Sequence, residues 1–478
     1  MILADGARED VFRALLAEGK LPHIQNEIVK PGAYAKGVTV FPSTTGPAYF
    51  PFLTGFHPGT LNVPGIRWFD KAAYANAAKK MVKFRSYVGI ETFLINSDME
   101  KMPTVFDLLP QSFSIFNSVC RGAGRRNLTK IMRIWYWYYA HLTDRWEFLD
   151  QEALAKTLKA IEKDFRFLFV VFPGIDEYSH LAHPHHDKTI DHYRFLDDAV
   201  GKIVSQLKEK GEWDDTLFWI VSDHGLSATQ SHFCVNTFME KRGLPPFYYP
   251  KVFHRNGKKV ANMVSGNGMT HLYFKNGHDW GAPTTREDIN QIDPTLIEDL
   301  IQEAAIDIVA IRNSEGGVDI VSKRGEAKLK LLDDKVAYSP SPLEPVLSEV
   351  EGGEGRGEGK DPFGYKNISG LLSEKEILDK TIDTDYPDAP WQLAQIFKAS
   401  RTGDIVLSAT PGYDLRLKYE VPEHKGSHGS IHREHMMTPV ATNAPLPQKY
   451  LRTVDIFPTM LQLMGKTKSV PSDGILLL

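Results

Sequence analysis

The chain is poor in cysteine, in net charge and in long apolar runs, and each shortage excludes a class of protein. Only two cysteines, Cys120 and Cys234, occur among 478 residues, which excludes a disulfide framework. The formal charge of -4 and the pI near 6.5 carry no nucleic-acid-binding signature. No apolar stretch approaches the ~20 residues that span a bilayer, so no transmembrane segment is predicted.

The N-terminus also lacks a signal peptide, because Met1–Ala4 leads directly to Asp5. As given, the chain is predicted to be cytoplasmic. A first strand this short equally fits a chain trimmed at its N-terminus, in which an export signal is lost from view. The sequence carries no indication of an oligomeric state.

What the chain does contain is an ordinary globular composition, 42% hydrophobic and 24% charged, with an α/β pattern. A helical pattern at 151–163 precedes the apolar run Phe167–Phe172, and a second helix, Tyr193–Lys208, precedes the apolar run Thr216–Val221. This alternation predicts a mostly parallel sheet between helices. Shorter strands are predicted at residues 1–4 and at Gly37–Phe41.

One catalytic domain, 1–478, is predicted, with an insertion or cap region at 226–400. Within it, residues 340–360 are rich in Gly, Glu and Pro and are predicted to form a disordered loop. A small antiparallel addition is predicted at 319–331. The strand pattern resumes at Asp404–Ala409, and residues 454–464 are predicted to be a final helix.

The stretch 131–148 is unusually aromatic, and its pattern leaves two interpretations open. One is a single helix packed on the core. The other is the apolar wall of a substrate pocket, or a weak contact with a membrane.

Metal-ligating residues follow several of the predicted strands. Asp176 and His180 lie four residues apart after Phe167–Phe172, so on a helix they share one face and can reach one cation. Asp5 follows the first strand, Asp223 and His224 follow Thr216–Val221, and His428 lies beyond Asp404–Ala409. In a parallel sheet, ligands gather at the carboxyl ends of strands. Six N/O donors without a thiolate suit two Zn²⁺-like ions.

The candidate nucleophile lies in the hydroxyl-rich turn Phe41–Pro47. A hydroxyl is a poor nucleophile near neutral pH, and coordination to a metal lowers its pKa. On chemistry alone, Ser43, Thr44 and Thr45 compete for this role.

Six short motifs in order resemble the alkaline phosphatase superfamily, and within it the type I phosphodiesterase / nucleotide pyrophosphatase branch. They are Asp5-Gly6, Phe41–Thr45, Thr54-Gly55, Asp176 with His180, Ser222–Gly225 and Gly426–Gly429. The resemblance implies an alkaline phosphatase-like fold, a central sheet sandwiched by helices with an inserted cap. It also implies two divalent ions, most simply Zn²⁺, and a small-molecule phosphoester as substrate. Relatives of this kind are often exported.

The resemblance assigns a role to each motif residue. Thr45 matches the family's nucleophile position. One zinc would be surrounded by Asp5, Thr45, Asp223 and His224, and the other would be held by Asp176, His180 and His428. With His428 in the second set, the nearby His183, His185 and His186 are predicted to be surface or rim residues.

Two departures from the nucleotide pyrophosphatase pattern concern the substrate. Gly46–Tyr49 stands where those enzymes commonly have Phe-Pro-Asn-His after the nucleophile. Their phosphate-contacting Asn, about twenty residues further on, has no direct counterpart here. Asn62 or Arg67 is predicted to take that role, since the forked donors of arginine suit phosphate.

The predicted reaction is hydrolysis of a phosphodiester or pyrophosphate through a phospho-threonine intermediate on Thr45. A phosphomonoesterase or phosphonate hydrolase on the same scaffold is the first alternative. A non-catalytic metal-binding relative is the second.

Overall fold

The computed structural model of the chain describes residues 1–76, 83–129, 132–253, 257–277, 279–341, 361–416, 423–466 and 470–478. These residues form 22 β-strands and 16 α-helices, numbered in chain order. Among them, no helix combines the length and the apolar character needed to cross a membrane. Residues 342–360 of the predicted disordered loop lie outside the described ranges.

A seven-stranded sheet forms the centre of the largest hydrophobic core. Its strand order is β22 (Tyr450–Arg452), β2 (Ala33–Val38), β21 (Met437–Thr442), β7 (Trp219–Val221), β1 (Ile2–Ala4), β6 (Phe167–Phe172) and β5 (Ser112–Ile115). Only β21 runs against the others, since it pairs antiparallel with β2 and β7 while all other pairs are parallel. The predicted mostly parallel sheet is therefore confirmed.

Helices cover this sheet because its strands are apolar on both faces. All six residues of β6 are buried. The helices α1 (Glu9–Ala17), α7 (Trp146–Ile161), α9 (Asp187–Glu209) and α16 (Ile456–Leu463) contribute side chains to the same hydrophobic cluster. Along α9, the buried Leu196, Val200, Ile203 and Leu207 recur every three or four residues, which places one apolar stripe against the sheet.

A second sheet has nine strands. In order they are β10 (Pro246–Phe247), β11 (Val260–Ser265), β12 (Met269–Phe274), β18 (Ile405–Ala409), β13 (Ile306–Arg312), β14 (Val318–Ser322), β15 (Gly325–Leu332), β16 (Lys335–Pro340) and β17 (Gly370–Ser373). The antiparallel addition predicted at 319–331 is part of this larger sheet. Eight of the strands lie within the predicted insertion 226–400, whose role as a separate cap stays a prediction.

Several predicted boundaries differ from the structure. The strand predicted at Gly37–Phe41 is β2, which ends at Val38. β7 begins at Trp219 and not at Thr216, because the backbone N–H of Phe218 donates to the side-chain oxygen of Asn443. The aromatic stretch forms two helices, α6 (Met132–Thr143) and α7, because Asp144 between them has a φ of +54°.

The remaining elements are short. The two-stranded pairs are β3 (Arg67–Phe69) with β4 (Phe84–Ser86), β8 (Ser227–Ala228) with β20 (Gly426–Ser427), and β9 (Ser231–His232) with β19 (Tyr413–Asp414). The other helices are α2 (Phe50–Thr54), α3 (Lys71–Ala75), α4 (Ile95–Asp98), α5 (Val105–Leu108), α8 (Gly174–Leu181), α10 (Val235–Lys241), α11 (Arg286–Ile292), α12 (Leu296–Gln302), α13 (Glu374–Thr381), α14 (Ala389–Ile396) and α15 (Arg433–Met436).

Candidate active site

Three neighbouring strands of the central sheet deliver acidic side chains to one edge. β1, β6 and β7 are adjacent and parallel, so their carboxyl ends lie together. Asp5 directly follows β1, and Asp223 follows β7 after one residue. Asp176 lies in the first turn of α8, which begins after one residue beyond β6. All three carboxylates are buried.

α8 can begin this close to the sheet because Gly174 has no side chain. A Cβ at that position would lie 2.2 Å from both Asp150 Oδ2 and His192 Nδ1. The backbone N–H of Gly174 donates to Asp150 Oδ1 over 3.1 Å. The helix then places His180 one turn after Asp176, with 3.5 Å between His180 Nε2 and Asp176 Oδ2.

The first group of donor atoms comes from Asp5, Asp223 and His224. Their ligand atoms all lie within 4.8 Å of one another. His224 Nε2 is 3.2 Å from Asp223 Oδ2 and 3.7 Å from Asp5 Oδ1. Thr45 Oγ1 lies 3.1 Å from the same His224 nitrogen and 3.4 Å from Asp5 Oδ1. These four side chains could therefore surround one ion.

The second group comes from Asp176 and His428, again with His224, within the same 4.8 Å limit. The rings of His224 and His428 stack at 3.8 Å, and the ring of His180 lies 5.1 Å from that of His428. His224 thus stands between the two groups. The structure brings together all seven predicted metal-ligating residues: Asp5, Thr45, Asp176, His180, Asp223, His224 and His428.

His428 does not follow a strand of the central sheet, unlike Asp5, Asp176 and Asp223. The strand that precedes it, β18, belongs to the second sheet, where it pairs with β12 and β13. His428 follows β20, which pairs with β8 just beyond His224. It also packs on the β11–β12 turn, where a Cβ at Gly266 would lie 2.6 Å from His428 Nδ1. Gly266 has a φ of +63°, so glycine suits this turn for two reasons.

The three histidines are held in the same way. In each ring, Nδ1 lies within hydrogen-bond distance of a backbone carbonyl, which leaves Nε2 to face the site. For His180, His224 and His428 these carbonyls belong to Gly426 (2.7 Å), Gly225 (3.2 Å) and Ser43 (3.0 Å).

Buried oxygen atoms without partners indicate a cation here. Asp176 Oδ1 and Asp223 Oδ2 are buried and accept no hydrogen bond in the described part of the chain. Burial raises the pKa of both carboxyls and lowers the pKa of His180 to about 4, so the imidazole is neutral near pH 7. Neutral imidazoles and carboxylates that need a positive partner fit a divalent ion, and the absence of a thiolate is compatible with Zn²⁺.

The structure separates the three competing hydroxyls. Ser43 is buried and donates to the carbonyl oxygen of Ser430 over 2.9 Å. Thr44 is fully buried, and its hydroxyl has no partner among the described residues. Thr45 is partly exposed and lines a cavity of about 250 Å³ beside the donor groups. Only the Thr45 hydroxyl of these three faces both the metal-ligating atoms and the open space.

Comparison with known proteins identifies the group to which this arrangement belongs. The family model for type I phosphodiesterase / nucleotide pyrophosphatase matches residues 1–431. The chain belongs to this family. This match confirms the predicted relationship to type I phosphodiesterases and nucleotide pyrophosphatases.

One curated relative of this phosphodiesterase-family chain is GPI ethanolamine phosphate transferase 1 from Mus musculus. The two are 24% identical over 305 residues, which is 61% of this chain and 30% of the mouse protein. The chain thus spans less than a third of the length of that relative.

Solved structures share the fold at low sequence identity. Murine ectonucleotide pyrophosphatase / phosphodiesterase 5 has a TM-score of 0.59 at 12% identity, covering 99% of this chain and 96% of that one. Phosphonoacetate hydrolase from Sinorhizobium meliloti 1021 has a TM-score of 0.53 at 14% identity, covering 95% and 93%. These likenesses confirm the predicted alkaline phosphatase-like α/β fold.

The stretch Gly46–Tyr49, which departs from the nucleotide pyrophosphatase pattern, contributes a hydrogen bond to the site. The Tyr49 hydroxyl is buried and donates to Asp5 Oδ2 over 2.6 Å. This bond orients the other Asp5 oxygen, Oδ1, toward Thr45. The sequence shows the tyrosine four residues after Thr45, but its hydrogen-bond partner, Asp5, comes from the distant end of β1.

Asn62 and Arg67 do not line the cavity beside Thr45. The Asn62 side chain hydrogen-bonds to Ser400 and to the backbone of Arg401. Arg67 donates to Ser86 Oγ and to the carbonyl of Val264. Their predicted contact with phosphate has no counterpart in the geometry of this cavity.

Polar side chains other than Asn62 and Arg67 line the cavity beside Thr45. Arg133 on α6, Glu177 on α8 and Ser118 all line the cavity with Thr45. Burial raises the pKa of the Glu177 carboxyl to about 8. The Ser118 hydroxyl is buried without a partner in the described ranges. The pocket-wall interpretation of 131–148 includes Arg133, and Glu177 directly follows Asp176, but nothing in the local sequence marks Ser118.

His183, His185 and His186 lie between α8 and α9 and take no part in the donor groups found among the described residues. His186 Nδ1 accepts from the backbone N–H of Lys188, and His183 Nδ1 accepts from that of His185. They have local roles at a helix N-terminus.

Proposed function

We propose that this chain hydrolyses phosphoesters of the phosphodiester or pyrophosphate type, with Thr45 as the nucleophile at a two-metal site. The observation that carries this proposal is the position of Thr45 Oγ1. It lies 3.1 Å from His224 Nε2 and 3.4 Å from Asp5 Oδ1, and it faces a cavity large enough for a phosphoryl group.

Two divalent ions, most simply Zn²⁺, would be held by this chain. Asp5, Asp223 and His224 would hold one beside Thr45, and Asp176, His180 and His428 would hold the other. When bound, such ions supply positive charge that lowers the pKa of a neighbouring hydroxyl and stabilises charge on phosphorus. This pair of ions follows the family resemblance and the donor chemistry of the residues.

The residues of the chain would act in two steps. The Thr45 oxygen forms a bond to phosphorus while the bond from phosphorus to the leaving-group oxygen breaks. The hydroxyl proton of Thr45 is directed toward Asp5 Oδ1. Water then cleaves the phospho-threonine, which restores the Thr45 hydroxyl and releases the phosphorylated product.

Arg133 would bind the non-bridging oxygens of the phosphoryl group. It is buried, and its guanidinium lies 3.9 Å from the centroid of the Trp137 ring. Its Nε donates to the carbonyl of Phe116 and its Nη1 to Thr92 Oγ1, while Nη2 has no acceptor in the described chain. No carboxylate of the described residues forms an ion pair with it. A buried guanidinium without a direct ion pair is costly, so an anionic substrate is a suitable partner.

Replacing Arg133 by methionine is expected to lower kcat/KM for a phosphodiester by about 10- to 100-fold, since a charge-assisted hydrogen bond is lost. Arg133→Lys should retain part of the activity, because it keeps the charge without the forked donors. Steady-state kinetics on both variants and on the exposed control Arg125→Met would measure this. Unchanged kcat/KM in a folded Arg133→Met protein would rule out the assigned role.

A substrate panel tests the function itself. Zinc-loaded protein is expected to hydrolyse a bis-aryl phosphate faster than a mono-aryl phosphate or a phosphonate. Faster turnover of the monoester or the phosphonate would support those alternatives and contradict the diesterase proposal. No turnover of any ester by metal-loaded protein would favour a non-catalytic relative.

Transfer to an alcohol is a second candidate, favoured by the similarity to the mouse ethanolamine phosphate transferase. The same phospho-threonine would then be cleaved by an alcohol in place of water. Adding a primary alcohol to the assay distinguishes the two, because a transferase forms a new phosphodiester in preference to the hydrolysis product.

A further inference from the structure

Exposed apolar side chains are concentrated in two segments beside the cavity. The first is the 3₁₀ turn Gly89–Leu94 with the preceding Val88, and the second is α6. Six of their side chains define what we call the apolar rim: Val88, Ile90, Trp135, Tyr138, Tyr139 and Leu142. Their exposure is high for large apolar residues, reaching 74% at Ile90, 68% at Trp135 and 83% at Leu142. Apolar surface gathered in this way marks a binding surface.

The rim continues into the candidate active site. Val88 and Tyr138 are both about half exposed, and both also line the cavity that contains Thr45. The two segments approach each other here, since a Cβ at Gly89 would lie 3.3 Å from the Tyr138 hydroxyl. One apolar surface therefore extends from solvent to the neighbourhood of the nucleophile.

α6 divides its side chains between the cavity and the solvent. Arg133, Ile134 and Trp137 line the cavity. On the other side, Trp135, Tyr139 and Leu142 recur at helical spacing and face solvent. The helix contains no Asp or Glu, and the turn Gly89–Leu94 carries a single exposed carboxylate, that of Glu91. Tryptophan and tyrosine are the residues enriched at membrane–water interfaces.

We propose that the apolar rim docks on a lipid surface and that the substrate is an amphiphilic phosphoester drawn from it. The phosphoryl group would reach Thr45 and Arg133, while the apolar part would stay between α6 and the turn Gly89–Leu94. The proposed substrate class rests on the proposed phosphoester hydrolysis, whereas the proposed docking on a lipid surface does not depend on it. A protein bound on the rim would cover this mouth of the cavity, whereas a lipid surface would supply substrate through it.

Vesicle binding tests the docking surface. The chain of residues 1–478 is expected to sediment with phosphatidylcholine vesicles, and Trp135→Ser/Leu142→Ser is expected to reduce the bound fraction at least about tenfold, because two large apolar contacts are lost. The matched control is Leu371→Ser, which removes a 55% exposed leucine from β17, an edge strand of the second sheet. The control should bind like the wild type.

Kinetics on two substrates test the substrate class. Trp135 and Leu142 do not line the cavity, so the double variant should hydrolyse a soluble bis-aryl phosphate at the wild-type rate. On an aryl phosphodiester with a long alkyl chain, embedded in the same vesicles, its kcat/KM should fall about tenfold. Equal kcat/KM for the double variant and the wild type on the embedded ester would contradict the proposed substrate.

Vesicle binding and phosphoester cleavage test the docking surface and the proposed hydrolysis separately. Wild-type protein that binds vesicles but cleaves no phosphoester would contradict the function and leave the docking surface supported. An active enzyme that does not bind vesicles, or that binds them equally after the double substitution, would overturn the docking surface. A wild-type dimer that the double substitution converts to a monomer, without vesicle binding, would assign the rim to contact between protein copies.

Discussion

Alanine at position 45 is expected to reduce turnover of a phosphodiester by on the order of 10³-fold or more while metal content stays the same. The Thr45 hydroxyl faces the cavity and lies beside His224 and Asp5. Removing it takes away the atom that would attack phosphorus. The six carboxylate and imidazole ligands are untouched, so metal analysis should give equal stoichiometry for the variant and the wild type.

The neighbouring threonine supplies a matched control. Thr44→Val keeps the shape of a fully buried side chain whose hydroxyl has no partner in the described residues, so both activity and stability should be nearly unchanged. Acid quenching of the wild-type reaction should also trap phosphate on the peptide that contains Thr45. Persistent turnover in Thr45→Ala would assign the attack to Ser43, to Thr44 or directly to water.

Loss of the His224 imidazole is expected to have a comparably large effect, for a different reason. Its imidazole belongs to both donor groups, one with Asp5 and Asp223 and the other with Asp176 and His428. His224→Ala should therefore lower bound metal below two ions per chain and reduce turnover by on the order of 10³-fold. It should also reduce the rise in Tm on adding Zn²⁺, because ligand binding to the folded state is what stabilises it.

His185→Ala is the matched control, since this exposed histidine lies at the same end of the sheet, in the segment after α8, but outside both donor groups. It should retain two metal ions, full turnover and the full Tm increase. A His224→Ala protein with two bound ions and wild-type turnover would contradict the arrangement in which this imidazole stands between the groups.

The sequence predicted the fold correctly where an apolar pattern in the chain corresponds to a buried strand or to the buried face of a helix. The apolar run Phe167–Phe172 is β6, and the stripe of Leu196, Val200 and Leu207 is the buried face of α9. The pattern did not show which sheet a strand joins. Ile405–Ala409 is as fully buried as β6, yet it pairs antiparallel with β12 and β13 in the second sheet. Strand pairing depends on distant partners that a local run of residues does not specify.

In the aromatic stretch 131–148, too, the local sequence did not specify which parts of the protein each side chain contacts. Its composition predicted either a helix on the core or the wall of a pocket, and α6 combines both, since Ala140 is buried while Arg133 and Trp137 line the cavity. The break at Asp144 depends on a single backbone torsion of +54°. Composition shows that a segment is apolar, but the direction of each side chain depends on what the helix packs against.

The sequence by itself determined the family, the parallel sheet and the residue types of the metal-ligating motifs, because each of these is encoded in short, contiguous stretches. Tertiary structure decided that Thr45, and not Ser43 or Thr44, faces the cavity, that His224 stands between two donor groups, and that Arg133 faces the cavity beside Thr45. These features join segments far apart in the chain. Their geometry exists only after strands β1, β6 and β7 and the segments around them have packed together.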